Sequence, residues 1–501
     1  MERKQIGKEW TKAHALKSAL QFFLHFVIFL LLAFILLFWK NFSQIGEHMK
    51  AQGGNYLYVM FCVLLLFVIT YFYFYFEDRT TLMSGKTVAL VFTILDVYLI
   101  LSCLIGYNLS VYARPVALVA LLVFMLMGRR NAIFLNIICA LLVFVIDMFV
   151  TPVDLKECYS SLIIAFSAGM ISIFFCAQAK SRLQVIGIGV VIILPIDIII
   201  FLLKISTLLD APAANGGLSI SQEIVTQLGY GLFGAVMSAV LFLFLLPLFE
   251  SAFNCLTSFR LRELTSSEAR LLKELKQDAP GTYNHSVMVA QLAEASAAAI
   301  GENVDMARAA ALYHDVGKLH YPEHFTENQG DYNLHDELTP ELSADIIRSH
   351  AKDGYNLIRN RHLPEFLADV AVQHHGTMPI RYFYAKALKM TDGELNIEDF
   401  SYMGPKPQTK LAAIIMICDA SEAAVRAVGA RTPEEAEKAI RAVIEERMDL
   451  EQFAECDVTM ADLTKIRLAL VNALTGVYHH RIQYPSIKYR RTESGTKGEN
   501  E

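Results

Sequence analysis

The sequence predicts an all-α protein in two halves: a polytopic transmembrane helix bundle followed by an all-helical soluble domain. Three observations lead there. Apolar runs dominate residues 19–249, each near the ~20 residues a helix needs to cross the hydrocarbon core. From about residue 260 the composition turns ordinary, and apolar residues recur with the period of amphipathic helices. No stretch of useful length alternates polar and apolar as a half-buried strand does. With 501 residues, 54% of them hydrophobic, the chain is too apolar for a soluble protein of its size.

The N-terminus, MERKQIGKEWTKAHALKSALQ, is basic, and a run over residues 19–39 follows. That run is too long for a signal-peptide core and lacks a small-residue cleavage site, so it reads as a retained anchor. Residues 1–54 thus hold a basic segment, a first anchor and a short external loop. Further runs cover 55–76, 87–107, 109–128, 132–150, 159–178, 183–204 and 224–249. They make eight candidate spans, seven of them in a domain over 55–249.

Lysine and arginine placement sets the orientation. The basic N-terminus, Arg79 with Lys86, Arg129 with Arg130, and Lys180 with Arg182 share one side if all eight runs cross. That side is cytoplasmic, and an even count returns the soluble half to it. Almost no loop separates two spans at Tyr107–Arg114; losing one span there would put the soluble half outside.

Asp96, Asp147, Asp197 and His25 lie within or near the ends of apolar runs. Ionisable groups at such depth are costly, which makes them functional candidates. The alternative is pairing with interhelical polar groups or water. Pro195 predicts a helix kink. The eight cysteines form no CxxC pair and lie mostly in or beside apolar runs. They read as small buried hydrophobes in a reducing setting. The net charge of −6 is mild and decides nothing about an anionic ligand. No basic, aromatic-interleaved stripe is present, which argues against a DNA or RNA polymer as partner.

Residues 250–280 read as a helical connector. LRELTSSEARLLKELK has helical spacing, and Thr265-Ser266-Ser267 can cap a new helix before Glu268. Pro280-Gly281 breaks it. A domain over 281–483 follows, with helices near 284–300, 304–315, 339–349, 353–361, 364–374, 409–429, 433–446 and 459–482. The tail, 484–501, is polar and reads as disordered.

His285 falls on the first helix of this domain, and adjacent His314 and Asp315 fall near the end of the next. His350, the pair His374-His375, and Asp419 come later. Imidazoles with carboxylates suit borderline divalent metals such as iron, manganese or zinc without thiolate. Asp315 has two oxygens and can bridge two metals, with His314 on one of them. Any one of these histidines alone reads as an ordinary core or surface residue. The set, with its HD pair followed by GK, reads as a metal centre. The loop YMGPKPQTK, residues 402–410, reads equally as a surface turn or as a phosphate or base contact.

The ordered text APGTYNHS, YHDVGKL, PEHFTENQ, SAxIIRSHAKDG, QHHGT followed by YFYxKA, YxGPKPQTK and CDASEAAVRA is specific. Together with RPVALVALLVFML in the membrane half, it resembles the bacterial seven-transmembrane HD-domain phosphodiesterases that hydrolyse cyclic di-AMP. The resemblance covers roughly residues 55–480. It implies a cytoplasmic HD-domain hydrolase on a multi-pass bacterial membrane protein, with cyclic di-AMP and the lipid bilayer as partners; a homodimer is left open. It implies His285, His314, Asp315, His350, His374, His375 and Asp419 as ligands of two divalent metal ions, iron or manganese. Asp315 and Lys318, the HDxGK lysine, are then the catalytic residues. Asp315 bridges the metals, Lys318 neutralises a phosphate oxygen, and water opens the ring to linear pApA.

Two features depart from the family. Its members usually carry a large extracellular domain between the first span and the other seven, where this chain has only Lys40–Gly54. Asn284 follows Tyr283, a minor change because the ligand is the next residue. A cyclic di-GMP hydrolase of the related HD-GYP group is the nearest rival, but GTMPIRYFYAKA after the histidine pair lacks that group's Glu and DGxGYP-like run. A non-cutting nucleotide receptor predicts a broken ligand set, and all seven positions are intact. A transporter predicts paired charges along a polar path, which three isolated aspartates do not make.

Overall fold

Helices carry the chain through its described residues, which are 12–38, 45–149, 153–210, 217–330, 332–391, 393–430 and 432–477 of a computed structural model. The basic segment before residue 12, part of the loop after the first anchor, and the polar tail lie outside the described residues. Among the described residues there is no strand, only a bridge between Pro379 and Ser401. The chain divides into two units, Met1–Glu263 and Leu264–Glu501, and the division falls inside the expected connector.

The first unit holds α1 (Lys12–Phe38), α2 (Ile45–Glu77), the short α3 (Arg79–Met83), α4 (Gly85–Asn108), α5 (Leu118–Met127), α6 (Arg129–Phe149), α7 (Leu155–Cys176), α8 (Gln184–Asp210) and α9 (Gly217–Phe253). Among the described residues seven of these are long and apolar enough to cross a membrane: α1, α2, α4, α6, α7, α8 and α9. α8 runs on through Pro195. This is a multi-pass membrane protein.

The run 109–128, expected as a full span, folds differently. It forms one tight turn, Val111–Ala113, and then the ten-residue α5. Ten residues at ~1.5 Å each reach ~15 Å, about half of the ~30 Å core. The cause is Arg114-Pro115. Proline has no N–H to continue a helix and pushes the residue before it to extended backbone, and Arg114 sits at φ −65°, ψ 144°. Irregular backbone at membrane depth survives only where protein surrounds it, and every residue from Val111 to Val123 is buried. Ser238 Oγ on α9 accepts from Ala117 N at 3.3 Å. Gly234 lets α9 approach, since a Cβ there would come within 2.6 Å of the Arg114 carbonyl.

The broken segment still traverses the bundle. Arg130, at the start of α6, pairs with Glu77 at 3.7 Å. Asp147, near its other end, binds Arg114, with Nη2 to Oδ1 at 2.8 Å. Arg130 and Asp147 lie roughly 25 Å apart along a helix rising ~1.5 Å per residue. Residues 114–130 therefore run from one end of α6 to the other, as an eighth passage beside the seven long helices.

The pairing also answers the reading of Asp147. It and Arg114 are 1% and 2% exposed, and Arg114 Nε donates to the Ser102 carbonyl at 3.0 Å. The carboxylate thus has the interhelical partner that the structural alternative required. His25 stacks on Phe92 at 5.2 Å. Asp96 and Asp197 each keep one buried oxygen with no hydrogen-bond partner among the described residues.

The second unit begins at the end of α10 (Ser258–Leu264) and continues with α11 (Arg270–Asp278), α12 (Pro280–Ile300), α13 (Val304–Tyr313), α14 (Pro340–Asn360), α15 (Glu365–Gln373), α16 (Arg381–Leu388), α17 (Lys410–Val428), α18 (Pro433–Asp449) and α19 (Met460–Val477). The connector is two short helices, and the second, α11, starts after Ala269, which gives it no side-chain cap. Leu271, Leu272 and Leu275 of α11 are buried. The helices expected at 339–349 and 353–361 are the single α14, and α16 was not expected at all. Asn303, Thr339, Thr409 and Thr432 cap α13, α14, α17 and α18 by accepting from free backbone N–H groups. Alanines such as Ala293, Ala297, Ala310 and Ala413, fully buried, let these helices lie close around the site.

Candidate metal centre

Five helix segments deliver the expected ligands. His285 lies on the buried face of α12, in step with Val289, Leu292 and Ser296. His314 ends α13, and Asp315 opens the tight turn Val316–His320. His350 lies on the buried side of α14, and His374 ends α15 with His375 following. Asp419 projects from α17. Gly317 makes the convergence sterically achievable. A Cβ there would come within 1.9 Å of the His350 carbonyl and 2.5 Å of Gly354 N, so the HD turn seats directly on α14. That contact accounts for Gly354 in the interior of α14.

All seven expected ligands meet. Asp315, His350, His374 and His375 offer atoms within 4.8 Å of one another, and so do His285, His314 and Asp419. Asp315 faces both groups. Its Oδ1 lies 3.3 Å from His350 Nε2 and 3.6 Å from His374 Nε2. Its Oδ2 lies 3.2 Å from His314 Nε2 and 3.9 Å from His285 Nε2. Asp419 divides in the same way, with Oδ1 2.9 Å from His285 Nε2 and Oδ2 3.9 Å from His375 Nδ1.

The ring orientations suit a cation. His314, His350 and His374 each direct Nδ1 to the backbone carbonyl three residues earlier, at 2.7, 2.6 and 2.8 Å. A ring that donates from Nδ1 presents the lone pair of Nε2 inward. His314 Nε2 and Asp315 Oδ1 are buried with no hydrogen-bond partner among the described residues. Buried polar atoms rarely stay unsatisfied, so these residues fit a metal pair.

Protonation follows the same arrangement. Burial disfavours the imidazolium of His285, but hydrogen bonds to Asp419 and Glu422 outweigh it and push the pKa up to about 9. For His314 burial is likewise outweighed, chiefly by Asp315, and the pKa rises to about 10. Asp315 is buried too, yet the neighbouring His314 and Lys318 charges hold its carboxyl well below the usual range. His375 is held well below the ordinary imidazole value by burial and by His374.

Lys318 lies at the centre, with Nζ 2.8 Å from Asp315 Oδ2 and 2.8 Å from Glu327 Oε1. The loop 402–410 divides in function. Tyr402 stacks on His375 with centroids 4.2 Å apart, and Gln408 N donates to Gln373 Oε1 at 3.0 Å. Lys410, one of its two lysines, is bound to Asp462 in a buried pair, so it is not placed to meet a phosphate. Three residues at the site were not singled out from sequence: Glu327, Tyr402 and Glu422. Tyr402 opens the loop 402–410 already marked, and Glu422 had a signal, since it falls one helical turn after Asp419.

Comparison with known proteins agrees with this architecture. Residues 282–424 match the family model of the HD domain, and residues 54–257 match one described as 7TM receptor with intracellular HD hydrolase. The chain is 37% identical over 428 residues to the cyclic-di-AMP phosphodiesterase PgpH of Bacillus subtilis, covering 84% of this chain and 59% of that protein. It is 45% identical over 275 residues to the PgpH of Listeria monocytogenes, covering 55% of this chain and 38% of that protein. This chain therefore spans less than two thirds of either relative. A solved structure of the L. monocytogenes PgpH HD domain in complex with cyclic di-AMP is 48% identical, covers 43% of this chain and 99% of that one, and has a TM-score of 0.41. With its apolar helices leading into an HD domain, the chain belongs to the family of seven-transmembrane receptors that carry an HD hydrolase.

Proposed function

We propose that the protein is a membrane-bound, metal-dependent phosphodiesterase that hydrolyses cyclic di-AMP to linear pApA and so controls the level of this second messenger. The observation that carries this is the convergence of seven ligand side chains, with the two oxygens of Asp315 turned to separate ligand groups. The names of the two relatives supply the substrate class.

Bound there, two divalent cations, iron or manganese, would supply the positive charge that activates water and offsets charge on the phosphoryl group. His285, His314 and Asp419 would hold one, His350, His374 and His375 the other, with Asp315 between the two sets. Lys318 keeps Asp315 in place and offers a remaining N–H to a phosphoryl oxygen. Water attacks one phosphorus in line, the P–O3′ bond breaks, and the 3′ oxygen leaves with a proton, giving pApA.

The hydrolase unit acts in the cytoplasm. Eight passages return the chain to its starting side. Arg79, Lys86, Arg129, Arg130, Lys180 and Arg182 cluster at helix ends on that side, and Lys/Arg-rich ends face the cytoplasm.

The test is product analysis. The full chain in lipid nanodiscs, loaded with manganese or iron, is incubated with cyclic di-AMP and separately with cyclic di-GMP. Conversion of cyclic di-AMP to pApA is expected, and Asp315→Ala should lose both metal occupancy and turnover. Intact cyclic di-AMP beside a fully loaded centre would overturn the assignment.

A further inference from the structure

One imidazole is tied through Nδ1 to a carboxylate, unlike three of its neighbours. His314, His350 and His374 are fixed by carbonyls of their own helices, which any helical sequence provides. His285 instead directs Nδ1 to Glu422 Oε2, 2.9 Å away on α17. Glu422 is 4% exposed. Its second oxygen meets Arg426 Nη1 at 3.3 Å, and that guanidinium reaches the surface. α17 thus presents Asp419, Glu422 and Arg426 at successive turns of one face: a ligand, a carboxylate behind another ligand, and that carboxylate's counter-charge.

We infer that Glu422 is a positioning residue for one half of the two-metal centre, accepting His285 Nδ1–H so that the Nε2 lone pair points at the cation held with His314 and Asp419. This rests on the two-metal reading above. Carboxylates behind metal-bound imidazoles fix ring orientation and tautomer, and removing one costs about 10- to 100-fold in metal affinity. Glu422 touches no member of the Asp315, His350, His374 and His375 group in any hydrogen bond among the described residues. Its loss should therefore empty one position and leave the other filled, whereas loss of the spanning Asp315 should empty both.

The full chain is stripped of metal and titrated with Mn2+, reading bound metal per chain together with the electron paramagnetic resonance of coupled pairs against isolated ions. Wild type should hold two ions with the coupled signal. Glu422→Gln keeps an acceptor for Nδ1–H and should do the same. Glu422→Leu should hold one ion with the isolated signal, its second affinity lowered about 10- to 100-fold, at unchanged helical circular dichroism. Where Leu disturbs folding, Glu422→Thr, too short to reach the ring, should give the same loss. Two tightly held ions in both shortened variants, loss of both ions, or a Gln variant that behaves like Leu would overturn the inference. Fewer than two ions in wild type would instead overturn the two-metal reading itself.

Discussion

Lys318 holds its ammonium 2.8 Å from the Oδ2 of Asp315, three residues before it, and the same distance from Glu327 Oε1 on its other side. One partly buried cation thus serves the buried Asp315 and the partly buried Glu327, and Glu327, despite its desolvation, is held below the usual carboxylate range by it. Removing one partner of such a group leaves charge uncompensated, which typically costs about 3–5 kcal/mol. Lys318→Met should therefore lower the thermal stability of the metal-stripped protein strongly. Bound metal places new positive charge beside Asp315, so the loss should shrink in the loaded protein. Differential scanning fluorimetry with and without manganese reads both. Equal melting of variant and wild type in the stripped state would remove Lys318 from this role.

Metal loading should depend on pH in a direction fixed by His285 and His314. In the metal-free protein their pKa values rise to about 9 and about 10, so both are protonated at neutral pH. A cation binds neutral imidazole, so it must displace these protons. Apparent affinity for manganese should climb from pH 6.5 toward about 9–10, with proton release measurable by calorimetry in buffers of different ionisation enthalpy. The sign for stability is opposite. A raised folded-state pKa stabilises the metal-free fold below the ordinary value of 6.5 and loses that contribution as pH passes about 9–10. Affinity that stays flat or falls across this window would contradict the arrangement.

The ligand set was legible because of where it lies. Adjacent pairs such as His314-Asp315 and His374-His375 end helices, and their residue types suit no apolar core. Their partners were not legible. Glu422 reads as a solvated helical glutamate until His285, 137 positions away in sequence, is folded against it. The loop 402–410 reads equally as a surface turn or a phosphate or base contact, and only the fold shows α19 bringing Asp462 to its Lys410. The gap expected between helices 339–349 and 353–361 is the continuous α14, against which Gly317 seats closely. In the membrane half, composition marked 109–128 as a span with almost no loop before it at Tyr107–Arg114. Only the fold shows that Asp147 accepts that arginine. Periodicity reports which face of a helix is apolar, and it is silent on which distant face it meets.

The pair Arg114–Asp147 gives the membrane half its sharpest test. Arg114→Leu takes the guanidinium away from a carboxylate that is 1% exposed, and breaking a buried pair costs about 3–5 kcal/mol. Replacing both residues by leucine removes both charges and should recover much of the loss, as buried pairs are often neutral to exchange for apolar groups. The same residues bear on topology, because they hold the broken passage to the far end of α6. A green fluorescent protein fused after Arg130 should fluoresce in the cytoplasm, and one fused after Leu109 should stay dark. If both fusions stay dark, residues 109–128 turn back without crossing. The seven long helices would then leave the hydrolase unit outside the cell, away from a cytoplasmic nucleotide.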